Sequence, residues 1–187
     1  MPLPLGHSAI GFATHSIISR ENNSLKKWQV AILIIVLSNL PDIDVLFGLI
    51  LQSNGSAFHR GPTHSILFAF IMGFIASKSS KIWPNVPTLN FKTCFMLVLS
   101  HVIADYFLTD SAVSFFWPFE VSWSTGTSDW SQVLHTVIYD TVDDSEILLI
   151  CTCIIIIVTI IKKIDFMGKL KFLPLTVSRR QSGEDRK

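Results

Sequence analysis

This sequence predicts an all-α, multi-pass membrane bundle of about five helices with a polar metal site at one end, on three observations. Apolar segments alternate with polar breaks: 49% of the 187 residues are hydrophobic and 16% charged. The mean hydropathy of +0.48 lies on the apolar side of globular usage. Four polar clusters interrupt those segments: Gly6-His7, Leu40-Pro41-Asp42-Ile43-Asp44, His59-Arg60-Gly61-Pro62-Thr63-His64-Ser65, and Ser100-His101-Val102-Ile103-Ala104-Asp105. Lys and Arg, finally, fall on alternate connections.

Five helical segments follow in order. Pro4 suits the start of the first, about Leu5 to Ser19, and Arg20-Glu21-Asn22-Asn23-Ser24 ends it. The second begins near Trp28, reaches Leu37, meets Pro41 and resumes from Val45 to Leu51. Pro41 removes a backbone donor, which predicts a kink or break just before the two aspartates. The third starts at Pro62 and runs to about Ser77, with His64 in its first turn. The fourth, about Thr93 to Thr109, carries His101 and Asp105 four residues apart on one face. The fifth, about Ser145 to Ile161, holds the unbroken run Ile154 to Ile157 and is closed by Lys162-Lys163. Most of these are short for the ~20 residues that span ~30 Å of hydrocarbon, so some are partly embedded; a buried soluble bundle is the alternative for the first four. The fifth helix and the composition argue against it. Residues 1–164 form the membrane-embedded domain and residues 165–187 a basic cytoplasmic tail. The N-terminus has no signal-peptide pattern. Cys94, Cys151 and Cys153 lie in apolar runs and read as reduced, small hydrophobes.

Basic residues set the orientation. Arg20, Lys26 and Lys27 follow the first helix, Lys78, Lys81 and Lys92 the third, and eight Lys or Arg lie from Lys162 onward. The connection from Tyr106 to Glu146 has no Lys or Arg and seven acidic residues. Under the positive-inside rule the basic loops and tail are cytoplasmic. All four polar clusters then fall at the opposite, outward end.

His and Asp together supply the ligand set of hydrolytic Zn or Mn centres. Charged groups buried in a membrane cost on the order of 3 kcal/mol each, so several together imply mutual compensation, water or a cation. Each cluster also has a plainer reading. His7 alone is a solvated terminal histidine, and Asp42 or Asp44 a helix cap. His101 with Asp105 is a hydrogen-bonded helix pair. Their coincidence at one end favours ligation. Asp42 and Asp44, two apart, face different ways in a regular helix, so one binds metal and the other orients it or a histidine, with Asp42 the favoured ligand. Arg60, the sole outward basic residue, sits before a helix N-terminus, a pairing that suits a phosphate. His15 reads as a buried hydrogen-bonded histidine. Asp143, Asp144 and Glu146 either close the site or mark the interface, and His135 and Asp140 stay unassigned.

The order Gly-His, Leu-Pro-Asp-Ile-Asp, His-Arg-Gly-x-Thr-His-Ser, Ser-His-x-x-Ala-Asp and Trp-Pro, from Gly6 to Pro118, resembles the bacterial membrane-bound metal-dependent hydrolases. That family is more remotely similar to the all-helical zinc-dependent phospholipases C and zinc nucleases. The resemblance implies metal ligands among His7, Asp42 or Asp44, His59 or His64, His101 and Asp105. His135 with Tyr139 and Asp140 does not reproduce the second His and Glu helix of those enzymes, which implies one or two ions, Zn2+ first and Mn2+ second. It also implies metal-assisted hydrolysis of a phosphate ester. The metal would acidify its water toward pKa ~7. Asp44 or Asp105 would handle the proton, and Arg60 would stabilise developing charge. The aromatic run Phe115 to Phe119, with Trp123, suits an interfacial belt or simple anchoring. A phospholipid or lipid-linked phosphate is the expected substrate, and no nucleic acid partner is expected. The alternatives are a non-catalytic membrane metal-binding or transport protein, and a scaffold using the tail with its pairs Arg179-Arg180 and Arg186-Lys187.

Overall fold

The computed structural model of the chain describes residues 3–19, 27–109, 112–120, 126–139 and 144–171. Asp140, Asp143, Trp123, Arg20, Lys26, Arg179, Arg180, Arg186 and Lys187 lie outside them. The described residues form seven α-helices and two 3-10 turns, with no strand among them.

The first helix, α1 (Pro4–Ile18), has Pro4 in its opening turn, where the absent N–H costs nothing. The predicted break at Pro41 is present. α2 (Lys27–Ser38) gives way to a 3-10 turn at Leu40–Asp42 and then α3 (Ile43–Gln52), and the two arms are bent by 55°. A second 3-10 turn, Pro62–His64, precedes α4 (Ile66–Ile82). Here the structure corrects the sequence reading: the helix opens after Ser65, whose hydroxyl accepts from Phe68 N at 3.1 Å, so His64 belongs to the turn. α5 (Phe91–Leu108) is capped by Asn90, whose side chain accepts from Thr93 N.

Two further differences concern the C-terminal third. The acidic connection contains a helix, α6 (Trp130–Tyr139), none of whose residues is buried. Its apolar residues Trp130, Val133, Leu134, Val137 and Ile138 recur at helical spacing, so the pattern was there to be read. α7 (Ser145–Lys171) runs ten residues past Ile161, because Lys162-Lys163 ends an apolar run, whereas lysine is itself a good helix former. With α6, and with the expected second helix divided into α2 and α3, the described helices number seven and not about five.

Two helices, Phe91–Leu108 and the Ser145–Phe166 part of α7, are long and apolar enough to cross a membrane. The bent α2 and α3 pair makes a third if it is one span. The distribution of polarity agrees. His7, His64, His101 and Asp105 are buried, whereas Phe47, Ile50, Phe70, Phe74, Ile156 and Ile160 are exposed. Such extensive exposed apolar surface marks contact with something other than water. Inside, Ile34, Leu37, Ala69, Leu97 and Val98 form the apolar core. Small residues bring the helices close. A Cβ on Gly73 would lie 2.7 Å from Phe95 Cα, and one on Gly11 would lie 2.7 Å from Ser38 Cβ.

Candidate metal centre

Each polar cluster reaches one point through a local device. His7 is aimed by the start of α1. The Asp144 carboxylate, fully buried, accepts from Gly6 N at 2.7 Å and from Leu3 N at 3.0 Å, so it caps the helix and neutralises its positive end. A Cβ at position 6 would lie 2.8 Å from Asp144 Oδ1, so any larger residue there must push the capping carboxylate aside. At its other end α1 is fastened by Lys162 Nζ, which donates to the carbonyls of Ser16 and Ser19.

The break after α2 leaves the Ser38 carbonyl 2.7 Å from His101 Nδ1. A carbonyl only accepts, so Nδ1 carries the proton and Nε2 of the neutral ring presents its lone pair to the cluster. His64 is oriented in the same way by a carboxylate. Its Nδ1 lies 3.1 Å from Asp44 Oδ2, which also accepts from Thr63 Oγ1 at 2.6 Å and from Arg60 N at 3.2 Å. The other Asp44 oxygen is 3.2 Å from His59 Nδ1. Asp44 thus holds two imidazoles and the loop between them.

With both Nδ1 atoms donating, the two Nε2 atoms face each other across 3.2 Å, a gap that a shared proton or a metal ion can occupy. Asp42 Oδ1 stands 3.3 Å from His101 Nε2 and 3.6 Å from His64 Nε2. Asp105 Oδ2 stands 3.3 Å from His64 Nε2 and 3.9 Å from His101 Nε2. Four donor atoms with these separations suit a tetrahedral ion, since metal–ligand bonds of ~2.0–2.1 Å put neighbouring donors roughly 3.3 Å apart. A second grouping shares Asp105, whose Oδ1 is 3.4 Å from His7 Nε2. Grouped instead by donor atoms that all lie within 4.8 Å of one another, the candidate ligand sets are Asp42, His59, His64 and Asp105, and His7, His101 and Asp105. His7 and His101 stack with centroids 3.7 Å apart.

The residues therefore fit a metal, and a further observation agrees. Asp42 Oδ1, His59 Nε2, His7 Nδ1 and both oxygens of Asp105 are buried without a hydrogen bond, a state that native proteins rarely tolerate. Electrostatics point the same way at His64, in the turn outside the candidate spans. Burial alone pushes its pKa down, but the carboxylates of Asp105, Asp42 and Asp44 hold it well above the ordinary imidazole range. The spot attracts a cation.

Arg60 is buried, with φ of 66°, and Nε 3.8 Å from Asp105 Oδ2. Its carbonyl accepts from Ser114 N at 3.0 Å. The α4 N-terminus beside it is largely occupied, since Ile66 N donates to Phe115 O and Phe68 N to Ser65. That helix end is not free to cradle a phosphate. A cleft of about 440 Å³ opens onto Asp42, His59 and Arg60, walled by Leu3, Val45 and Leu46 and by Val133 and Val137 of α6.

All the site residues expected from sequence, His7, Asp42, Asp44, His59, Arg60, His64, His101 and Asp105, converge here. Asp144 does not join them and instead braces α1. His135 stacks on Tyr139 with centroids 4.9 Å apart, outside the cluster. His15 is half-buried, and its Nε2 makes no hydrogen bond, contrary to expectation. The sequence reading missed the Ser38 carbonyl and Thr63, both adjacent to motifs that it did single out.

Histidines and aspartates buried at one end of a bundle with an apolar exterior fit a membrane family, and over residues 1–167 the chain matches the family described as YdjM inner membrane protein. The chain belongs to that family. No curated protein and no solved structure matches it. The YdjM match covers every candidate ligand and all of α7 but its last four residues. It makes the chain a member of a bacterial inner-membrane family, as expected. Nothing in that description concerns hydrolysis or metal.

Proposed function

We propose that this YdjM family member is a membrane-bound metal-dependent hydrolase of a phosphate ester carried by a membrane lipid or lipid-linked phosphate. It would hold one or two ions, Zn2+ first and Mn2+ second, at the outward face of a multi-pass bundle whose basic loops and tail are cytoplasmic. The observation that carries the reading is the pair of imidazole Nε2 atoms 3.2 Å apart, each left facing the cluster by a bond at its other nitrogen and flanked by Asp42 and Asp105.

When bound, the ion supplies Lewis-acid polarisation of a phosphoryl oxygen and acidification of a water. The chain does the rest. His64, His101, Asp42 and Asp105 would hold the ion, with His7 and His59 as the further ligands. Asp44 fixes the His64 and His59 rings, and its carboxylate or that of Asp105 accepts a proton at the cluster. Arg60, at the floor of the cleft, faces the anionic head and favours charge developing there.

A specific feature favours a second reading, a non-catalytic metal-binding or transport protein: Asp42 sits where a candidate span is broken by 55°, as ion ligands do in transporters. The cleft leading to the cluster favours the enzyme.

The test is metal content by elemental mass spectrometry on detergent-purified protein, with His64→Ala and His101→Ala alongside. Stoichiometric zinc or manganese in the wild type, lost in both variants, is expected, followed by turnover of phosphate-ester lipids. A well-folded wild type that binds no metal even after reconstitution rejects the hydrolase.

A further inference from the structure

We propose that the cleft above the cluster is a side portal, open to the bilayer between α3 and α6, that takes the hydrocarbon chain of a membrane lipid while its phosphate lies at the floor. The portal rests on the hydrolase reading only for what happens to the head group.

Polarity within the cleft is graded. Its ionisable residues, Asp42, His59 and Arg60, lie together, and the rest of the lining joins apolar Val45, Leu46, Val133 and Val137 to the uncharged polar Ser56, Ser128, Gln132 and Thr136. A graded cavity orients an amphiphile with its polar end inward. The volume of about 440 Å³ is toward the low end of the ~300–1,000 Å³ of small-molecule pockets, room for a head group and the first stretch of a chain. The remainder must lie outside, so the surroundings of the mouth decide the ligand.

Those surroundings are apolar. On α3, Leu46, Phe47, Ile50 and Leu51 are 50–70% exposed, and its one charged residue, Asp44, is buried in the cluster. On α6, Leu134 and Ile138 are exposed, and the helix carries no Lys, Arg, Asp or Glu. A mouth meant for a water-soluble phosphate would carry charge at its rim. This one continues the apolar exterior of a chain that belongs to an inner-membrane family.

α6 forms one wall of this cleft. None of its residues is buried. It is pinned at its N-terminal side, where Gly55 N donates to Ser128 O at 2.8 Å and Ser128 N to Asn54 Oδ1 at 2.9 Å. A Cβ on Gly55 would lie 3.1 Å from Val133 Cγ2, so this glycine sets how close the wall stands.

The test uses the full chain in nanodiscs of phosphatidylethanolamine and phosphatidylglycerol, doped with a phosphatidylglycerol bearing a diazirine on its acyl chain. After irradiation, adducts are mapped by peptide mass spectrometry, and metal content is measured on the same sample. Adducts at Val45, Leu46, Val133 and Val137 are expected, reduced several-fold by Val133→Trp, which fills the cleft. Val45→Trp fills it from the other wall, should the first variant misfold, and Leu134→Trp, pointing outward, leaves the cleft adducts in place. Adducts confined to the outer faces of α4 and α7 overturn the portal. If metal is bound all the same, the hydrolase reading survives that failure. Cleft adducts in a protein that binds no metal support the portal and remove the hydrolase.

Discussion

Two aspartates separated by one isoleucine take different partners because Pro41 breaks the chain beside them. Asp42 ends the 3-10 turn and offers Oδ1 to two imidazole nitrogens, whereas Asp44 starts α3 and turns back to His64, His59, Thr63 and Arg60 N. Groups that only orient a ligand typically carry ~10–100-fold in metal affinity. Asp44→Asn should therefore weaken zinc binding by about that factor, yet reach the wild-type stoichiometry at saturating metal. Asp105→Asn, which touches both candidate ligand sets, should lower the stoichiometry itself. Competition with a chromogenic chelator reads both numbers. Equal loss of stoichiometry in the two variants would show Asp44 to be a ligand, not its support. The residue types were legible in the sequence, since His and Asp within apolar segments have little other reason to be there. Their division of labour was not, because it depends on a carbonyl at Ser38 and a hydroxyl at Thr63, and neither carries a sequence signal of its own.

Among the elements, α1 shows how a distant residue places a ligand. Leu3 and Gly6 are separated from Asp144 by 141 and 138 positions, yet both donate to its carboxylate. The Gly6-His7 pair is thus one device, with glycine admitting the cap and the next residue entering the cluster. Asp144→Ala leaves buried amide donors unsatisfied, a loss of about 1–3 kcal/mol. It should lower the melting temperature in detergent, and Asp144→Asn, which keeps an accepting oxygen, should recover much of the difference. An alanine variant as stable as the wild type would mean that α7 packing alone fixes α1. The break at Pro41 was read well, whereas α4 opens after Ser65 and not at Pro62, and runs to Ile82, five residues past the expected end near Ser77. α6 was missed because the acidic residues of its connection outweighed a periodic apolar pattern only ten residues long. The end of α7 was misplaced because a change of polarity was taken for a change of structure.

Over the whole molecule, charge and packing put the same groups at the same end. The starts of α1 and α4 and the ends of α2 and α5 meet at the cluster, while the turn between α4 and α5, from Trp83 to Asn90, lies at the opposite end beside Lys81 and Lys92. The polar cluster is buried beside an apolar core while large apolar side chains cover the outside, so the surface points to a membrane, and the lysines predict its sidedness. Replacing Cys94, Cys151 and Cys153 by serine permits a single reporter cysteine. At Thr127, beside the cleft, it should react with a membrane-impermeant maleimide applied to spheroplasts. At Asn85, in the distal turn, it should react only after the inner membrane is opened. The opposite pattern would keep the cluster and the bundle and turn them over, so that the cleft would draw its lipid from the cytoplasmic leaflet. The positive-inside argument would then fail at Lys78, Lys81 and Lys92.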